Sequence, residues 1–335
     1  METVSEGSIK VTHIDDNVSN VYEPAVALCI VTCRRPDGLR RLLLGLNSLK
    51  FREWCRPNIR VIVVDNDPES RSIELCRSLA PDLRWPVTAT TEPRRGIPFA
   101  RNTALKVAGT DVDFVAFVDD DEVPDPYWLD ALLTAQRQYN ADVVSGVVLP
   151  YFPEPIPGWL AKGGGFDRKR FPTGTLRPYA ATCNVMMRAE VVKDIGPSFN
   201  ERMALTGGSD THYFMKVVRA GYRIVHVDDA IVYEWIPASR ANVRWLLQRA
   251  YRQGNSLTLC YRELYGRNIR LWRRAVTGCA RIVAGLVILP LSAIIPVGGV
   301  RMRVVNVLRH ICRGAGTIMG LVGHKYEEYR NVHQV

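Results

Sequence analysis

Four short apolar, mostly β-branched runs punctuate the first half of the chain: "VALCIVTC" (26–33), "RVIVVDN" (60–66), "DFVAFVDDD" (113–121) and "ADVVSGVV" (141–148). Each ends in polar or turn-forming residues, the pattern of buried parallel strands. Between them, apolar positions recur at helical spacing in "DGLRRLLLGLNSL" (37–49), "ESRSIELCRSLA" (69–80) and "IPFARNTALKVAG" (97–109), the last closed by Gly109. This alternation predicts right-handed βαβ units in a doubly wound α/β sheet. The texture then changes to "PYFPEPIPGWLAKGGGFDRKRFPTG". Its proline and glycine content predicts a long irregular loop over the sheet, of the kind that forms functional lids. Beyond it, "CNVMMR" (183–188) reads as a strand, "SDTHYFMKVVRAG" (209–221) as a helix, "RIVHVDDAIVYE" (223–234) as strands joined by a turn, and "QRAYRQGNS" as helical.

In open α/β sheets, ligands sit beyond the carboxyl ends of the strands. Three clusters of polar residues fall there: Thr32, Arg34 and Arg35; Asp65, Asn66 and Asp67; and the run Asp119, Asp120, Asp121, Glu122. Four consecutive acids repel one another and are expensive to desolvate, so the run must be either exposed or neutralised by a cation. Asp119 and Asp121 form a D-x-D pair able to offer oxygens on one side to a hard divalent ion such as Mg2+ or Mn2+. The alternative is a solvated turn leading into the helix that "PDPYWLDALLTAQ" begins, since acids are favourable near a helix N-terminus.

Five blocks, "VALCIVTCRRPDGLRRLLLGLNSL", "VIVVDND", "RRGIPFARNTAL", "FVDDDEVPDPYWLDAL" and "TGGSDTHYFMKVVRAGYRI", occur in this order across roughly residues 25–265. Together they resemble an inverting family 2 glycosyltransferase of the GT-A fold, most similar to bacterial exopolysaccharide glycosyltransferases of the succinoglycan-glucosyltransferase type. The resemblance implies a Rossmann-like, mostly parallel nucleotide-sugar-binding sheet. It makes Asp121 the direct metal ligand, with Asp119 on the nucleotide ribose or supporting the metal. Asp65 and Asn66 match nucleobase contacts, Thr32 and Arg35 a loop that wraps the nucleotide, and Arg101 with Asn102 a segment lining the nucleotide site. Asp210 matches the general base. The family usually shows Glu-Asp at that point, and here Ser209 replaces the Glu. Arg249 and Arg252 lie in a segment that related enzymes use near the diphosphate or acceptor; processive members carry Q-x-x-R-W there, and this chain lacks the Trp.

The resemblance therefore implies an inverting, divalent-metal-dependent hexosyl transfer from a nucleotide-diphosphate sugar, a UDP-sugar first among them, to a lipid-linked oligosaccharide acceptor. Two other readings compete. One is a catalytically inactive, membrane-bound nucleotide-binding scaffold, to which only Ser209 points. The other is a nucleotidyltransferase, which also pairs acids with a divalent ion but usually needs a Gly-rich or basic loop after the first strand, where "TCRRPDG" has little glycine.

Charge locates a second region. The 335 residues carry a net +10 at pH 7, and Arg267–Val335 alone account for +9, so the main body is near neutral and no nucleic-acid surface is expected. Within this tail, "IVAGLVILPLSAIIPVGG" (282–299) has no charge and is flanked on both sides by arginines. A helix of that length spans roughly 27 Å against a hydrocarbon core of about 30 Å. Pro290 and Pro296 would kink it. With both flanks basic, an in-plane or re-entrant segment on an anionic membrane surface is expected, both ends on the cytoplasmic side. The N-terminal sequence has no apolar segment of the signal-peptide type, and the eight cysteines form no C-x-x-C pair. Reduced thiols, no zinc site and a location on the cytoplasmic face of the inner membrane follow as expectations. The expected organisation is a polar leader (1–24), a glycosyltransferase domain (25–266) and a basic, apolar helical tail (267–335).

Overall fold

The computed structural model describes residues 23–54, 57–161, 165–196, 198–266, 268–294 and 300–327. Nearly all of the expected leader, Gly163 and Gly164 of the Pro/Gly-rich stretch, and the end of the apolar tail segment with Pro296 lie outside the described residues. The chain forms two units. The first comprises the chain through Leu149 with Arg168–Phe199 and Phe214–Glu234, and the second Pro150–Asp167, Asn200–Tyr213 and Trp235–Val335.

In chain order the elements are β1 (Ala25–Thr32), α1 (Pro36–Leu46), β2 (Asn58–Asp65), α2 (Arg71–Leu79), β3 (Val87–Thr91), α3 (Ile97–Ala108), β4 (Phe114–Val118), β5 (Glu122–Pro124), α4 (Trp128–Tyr139), β6 (Val143–Tyr151), α5 (Gly158–Ala161), β7 (Leu176–Arg177), β8 (Asn184–Arg188), α6 (Ala189–Ile195), α7 (Ser209–Arg219), β9 (Ile224–Trp235), α8 (Val243–Tyr265), α9 (Ile269–Ile294) and α10 (Val300–Leu321). The strands form one sheet in the order β3-β2-β1-β4-β8-β6-β9-β5, with β7 on β9. The expected parallel ladder is present where β3, β2, β1 and β4 pair. β8 runs antiparallel to β4 and β6, and β9 to β5 and β7, so the sheet is mixed and not mostly parallel as expected.

Two further expectations need correction here. "ADVVSGVV" is a strand, but β6 pairs antiparallel with β8; an apolar run records burial on both faces and not direction. "RIVHVDDAIVYE" is one continuous strand with no turn at Asp228-Asp229. Asp228 stays in the ladder because both its carboxylate oxygens accept hydrogen bonds from Arg170 at 2.8 Å, while its N–H donates to Thr173 Oγ1. The half-buried, threonine-rich β3 has no continuous apolar run, so hydrophobic patterning does not reveal it.

The core of the first unit lies where Val26, Leu28 and Ile30 of β1, fully buried, meet Leu39, Leu42, Leu43 and Leu46 of α1 and Trp128, Leu129, Leu132 and Leu133 of α4. Each such side chain contributes about 1.5–3 kcal/mol of burial. Trp128 Nε1 donates to Asn184 Oδ1 at 2.8 Å, and Asn184 Nδ2 donates to the carbonyls of Val147 and Ala230. That bridge fits only against glycine, because a Cβ on Gly146 would lie 2.1 Å from the Ala230 oxygen.

The second unit is built around α8, α9 and α10, packed through glycines. A Cβ on Gly254 would stand 2.1 Å from the Arg313 oxygen, and one on Gly316 2.0 Å from the Tyr251 oxygen, so α8 and α10 touch backbone to backbone. Gly314 of α10 comes close to the Gly278 carbonyl of α9, while Gly278 and Gly285 receive the Ile318 and Ile311 side chains of α10. The apolar tail segment belongs to a longer helix than its uncharged run suggested: α9 has 26 residues, about 39 Å. It is the one helix among the described residues long and apolar enough to cross a membrane, and only 17% of its apolar window is buried, unlike a soluble core helix.

Candidate active site

The parallel half of the sheet sets the site. Thr32, at the end of β1, is in register with Asp65, at the end of β2, and Asp65 with Thr91, at the end of β3. The acid run follows β4, which lies on the other side of β1. The expected residues at these strand ends therefore share one rim, and the structure shows how each is held.

Arg35 precedes α1 and reaches the acid run: its Nη1 donates to Asp120 Oδ1 at 2.9 Å and to Asp121 Oδ2 at 3.0 Å. Thr32 Oγ1 donates to the other oxygen of Asp120 at 2.8 Å. Asp120, the middle acid, is buried and acts as the fastener; burial pushes its carboxyl upward and the Arg35 charge pulls it back. The chain turns tightly here because Gly38 lies under it, where a Cβ would come 2.6 Å from the Asp120 oxygen. Asp119 is the open member, its side chain 43% exposed, with Arg101 Nη2 at 3.9 Å. Arg101 also lies over the ring of Phe199, 5.6 Å from its centroid. Asn102 instead fastens the backbone: its amide pairs reciprocally with the N–H and carbonyl of Phe199.

Asp65 is fully buried, and each oxygen accepts a backbone N–H at 2.9 Å, from Asp67 and from Ser72 in α2. Asn66 binds the loop after β3, donating to the carbonyls of Glu92 and Arg94 and accepting from Gly96 N–H. Gly96, at φ +134°, supplies the backbone shape that this contact needs. The two residues expected at the nucleobase thus also build the walls of the site.

Four residues of the rim were not singled out from sequence: Glu122 as a functional carboxylate, Arg168, Cys183 and Glu234. Glu122 accepts the Asp119 N–H at 3.1 Å, and ligand atoms of Asp119, Glu122 and Cys183 lie within 4.8 Å of one another. Glu234 stands opposite Glu122 in the β5/β9 ladder. Arg168, from the Pro/Gly-rich stretch, joins the group, donating to Glu234 Oε2 at 2.7 Å and Cys183 Sγ at 3.1 Å. Burial, and then the Asp119 charge, hold the Glu122 carboxyl well above its ordinary range, with Arg168 opposing. Burial likewise pushes the Cys183 thiol up, and sulfur is in any case a soft donor that suits a hard divalent cation poorly. The donors that remain are carboxylate oxygens, the set a hard divalent cation takes. Glu122 sat in plain view within the acid run. Arg168 gave no pattern to read.

Asp210, Arg249 and Arg252 belong to the second unit. Gly207 and Gly208, both at positive φ, turn the chain into α7, and Gly208 fits closely against Ser256 of α8. Asp210 is the second residue of α7, and its Oδ1 accepts the Thr211 N–H at 2.7 Å. Ser209, where the family usually has Glu, is buried. Beside it, Cys260 Sγ donates to the Gly208 carbonyl at 3.4 Å, and His212 Nε2 lies 3.8 Å from Glu263. Arg249 and Arg252 lie on α8 as expected, with Arg249 over the rings of Trp245 and Phe166 at 4.9 and 5.9 Å.

A parallel α/β half-sheet with an acid run at its ligand rim is suited to a nucleotide ligand held through a divalent cation. The chain belongs to glycosyl transferase family 2, whose model matches residues 27–196. It is 30% identical over 307 residues to the succinoglycan biosynthesis protein ExoM of Rhizobium meliloti, covering 91% of this chain and 96% of that one. It is 24% identical to the glycosyltransferase AglE of Haloferax volcanii, over 62% of this chain and 66% of AglE. Among solved structures, the mannosyltransferase PcManGT of Pyrobaculum calidifontis, in complex with GDP-Man and Mn2+, superposes with a TM-score of 0.57 at 18% identity, covering 89% of this chain and 88% of that one. The fold is of the GT-A type.

Proposed function

We propose that this enzyme moves a hexosyl group from a nucleotide-diphosphate sugar, first a UDP-sugar, to a lipid-linked saccharide in cell-surface or exopolysaccharide biosynthesis, with inversion. One observation carries the reading: Thr32, Arg35, Asp65, Asn66, Arg101 and Asp119–Asp121 gather on one rim of the sheet. Similarity to a succinoglycan biosynthesis protein supports the polymer class, and a related fold in complex with GDP-Man and Mn2+ supports a nucleotide sugar with a divalent ion.

In this reading, Asp65 and Asn66 receive the base, Thr32 and Arg35 border the nucleotide, and Arg101 pairs with the diphosphate, for which its planar fork suits better than a lysine. Asp119 and Asp121 would hold Mg2+ or Mn2+, which when bound neutralises charge on the departing diphosphate. Asp210 takes the proton of the acceptor hydroxyl as its oxygen bonds to the anomeric carbon and the bond to the diphosphate breaks. With Ser209 in place of the family's Glu, Asp210 works without an acid beside it in the sequence. Arg249 and Arg252 serve the diphosphate or acceptor. The basic tail rests on the cytoplasmic face of the membrane, where α9 lies in or across the interface.

Nucleotide release from a panel of UDP-, GDP- and dTDP-sugars, with Mg2+ or Mn2+ and a lipid-linked acceptor, tests the activity. No turnover on any donor would favour the inactive scaffold. Asp210→Asn should fold and bind donor while transfer falls by about 10²–10⁴-fold, the usual loss on removing a general base. Transfer at the parent rate would remove Asp210 from the mechanism.

A further inference from the structure

The second unit holds a group of guanidiniums that the transfer reaction does not use. Gly314 of α10 sits against Gly278 of α9 so closely that a Cβ there would lie 2.7 Å from the Gly278 oxygen and 3.2 Å from Arg281 Cβ. This contact sets Arg281 level with the turn of α10 that carries Arg309 and Arg313, which are four residues apart and share a face. His310 lies between them in sequence. Desolvation and then the charges of Arg281, Arg313 and Arg309 lower its pKa, so all three arginines act on one ring. Each of the three is half-buried. Asp167 is the carboxylate that acts on Arg309, and from Asn268 to Tyr326 the sequence contains no acid. Like charges gathered in a half-buried place favour the approach of an anion. The guanidinium fork matches phosphate oxygens in pairs.

The outer side of α9 indicates what carries the phosphate. Val276, Val283, Leu286, Val287 and Leu291 are all more than half exposed. At about 100° per residue Val276, Val283, Val287 and Leu291 lie on the side of α9 opposite Gly278 and Gly285, which face α10, and Leu286 lies on its flank. An exposed apolar face flanked by arginines is the form of a helix seated at a bilayer surface, and basic pockets between such helices take lipid headgroups.

We propose that Arg281, Arg309 and Arg313 form a binding site for a lipid headgroup ending in a phosphate or diphosphate, with the outer face of α9 among the acyl chains. The site rests on the membrane reading given above, and adds to it a defined headgroup contact in place of diffuse attraction.

The test is flotation of the full chain with phosphatidylcholine vesicles containing either phosphatidic acid, a monoester, or phosphatidylglycerol, a diester, at matched surface charge. The wild type should favour phosphatidic acid. R281Q/R313Q should weaken that binding by about tenfold or more, the effect of losing one charge-assisted contact. R270Q/R273Q removes the same charge from exposed positions of α9 and should change it little. If R281Q/R313Q fails to fold, R281K/R313K carries the test: it keeps the charge and should lose the preference for phosphatidic acid. Equal losses in the two Gln pairs, or no preference in the wild type, would reduce the cluster to diffuse attraction and overturn the site. Inorganic pyrophosphate binding as tightly without vesicles would overturn the lipid assignment. A wild-type chain that floats with neither vesicle would instead sink the membrane reading itself.

Discussion

Replacing Arg35 by Met asks whether the acid run is held together by this one side chain. Arg35 supplies two charge-assisted hydrogen bonds, to Asp120 and Asp121, and Asp120 is buried with Thr32 as a further side-chain donor. Losing hydrogen bonds to a charged group costs about 1.5–3 kcal/mol each. The Arg35 side chain is 35% exposed, so water makes good part of the loss, and about 2 kcal/mol overall is reasonable. The pH dependence fixes the cause. Asp120 already has a raised pKa from burial, and without Arg35 it rises further. A carboxylate of this kind destabilises the fold above its folded pKa, and the penalty disappears as falling pH protonates it. R35M should therefore melt several degrees lower at neutral pH and approach the parent as the solution is acidified. R35M/D120N should recover most of the stability, because the amide can be buried without a counter-charge. Urea or thermal melts of the parent, R35M, D120N and the double variant across pH give the measurement. A loss that grew on acidification, or a double variant no more stable than R35M, would refute the account.

Asp121→Asn should abolish divalent-stimulated turnover and weaken donor binding, since a neutral amide is a poor ligand for a hard cation; full activity at saturating Mn2+ would disprove the D-x-D assignment. Hydrogen bonds from Arg94 hold Glu92 at about 2, below its ordinary 4.5, so it contributes stability at neutral pH that is lost as pH falls through about 2. Glu92→Gln should lower the neutral-pH melting point and flatten that acid limb in a pH series of melts. Gly316→Ala should destabilise the α8/α10 contact by about 1–3 kcal/mol, more than its gain in helix propensity returns, while Gly158→Ala, with nothing within 4 Å, should be neutral or better in the same melts.

Much of the candidate site's layout was legible in the chain because its parts are local. The apolar runs of β1, β2 and β4 mark where strands stop, a period of helical leucines marks α1, and the order of five blocks carries the family. The polar residues at the strand ends then had to share a rim, because parallel strands in one sheet place their carboxyl ends together. Partners were another matter. Arg35 and Asp120 are 85 positions apart, Arg168 and Glu234 66, and no local period encodes either pairing. The direction of β6 was equally hidden, since an apolar run fits a parallel or an antiparallel neighbour, and two adjacent aspartates read as a turn until Arg170 neutralised one of them inside β9. The tail shows the division most clearly. Hydropathy and charge mark only an apolar stretch between arginines; packing made it one helix of a glycine-fitted group, with Gly278 and Gly285 inward and Val283 and Val287 outward. Which face of a helix meets a neighbour depends on how closely two backbones can approach, and that distance is fixed by residues of both chain segments at once.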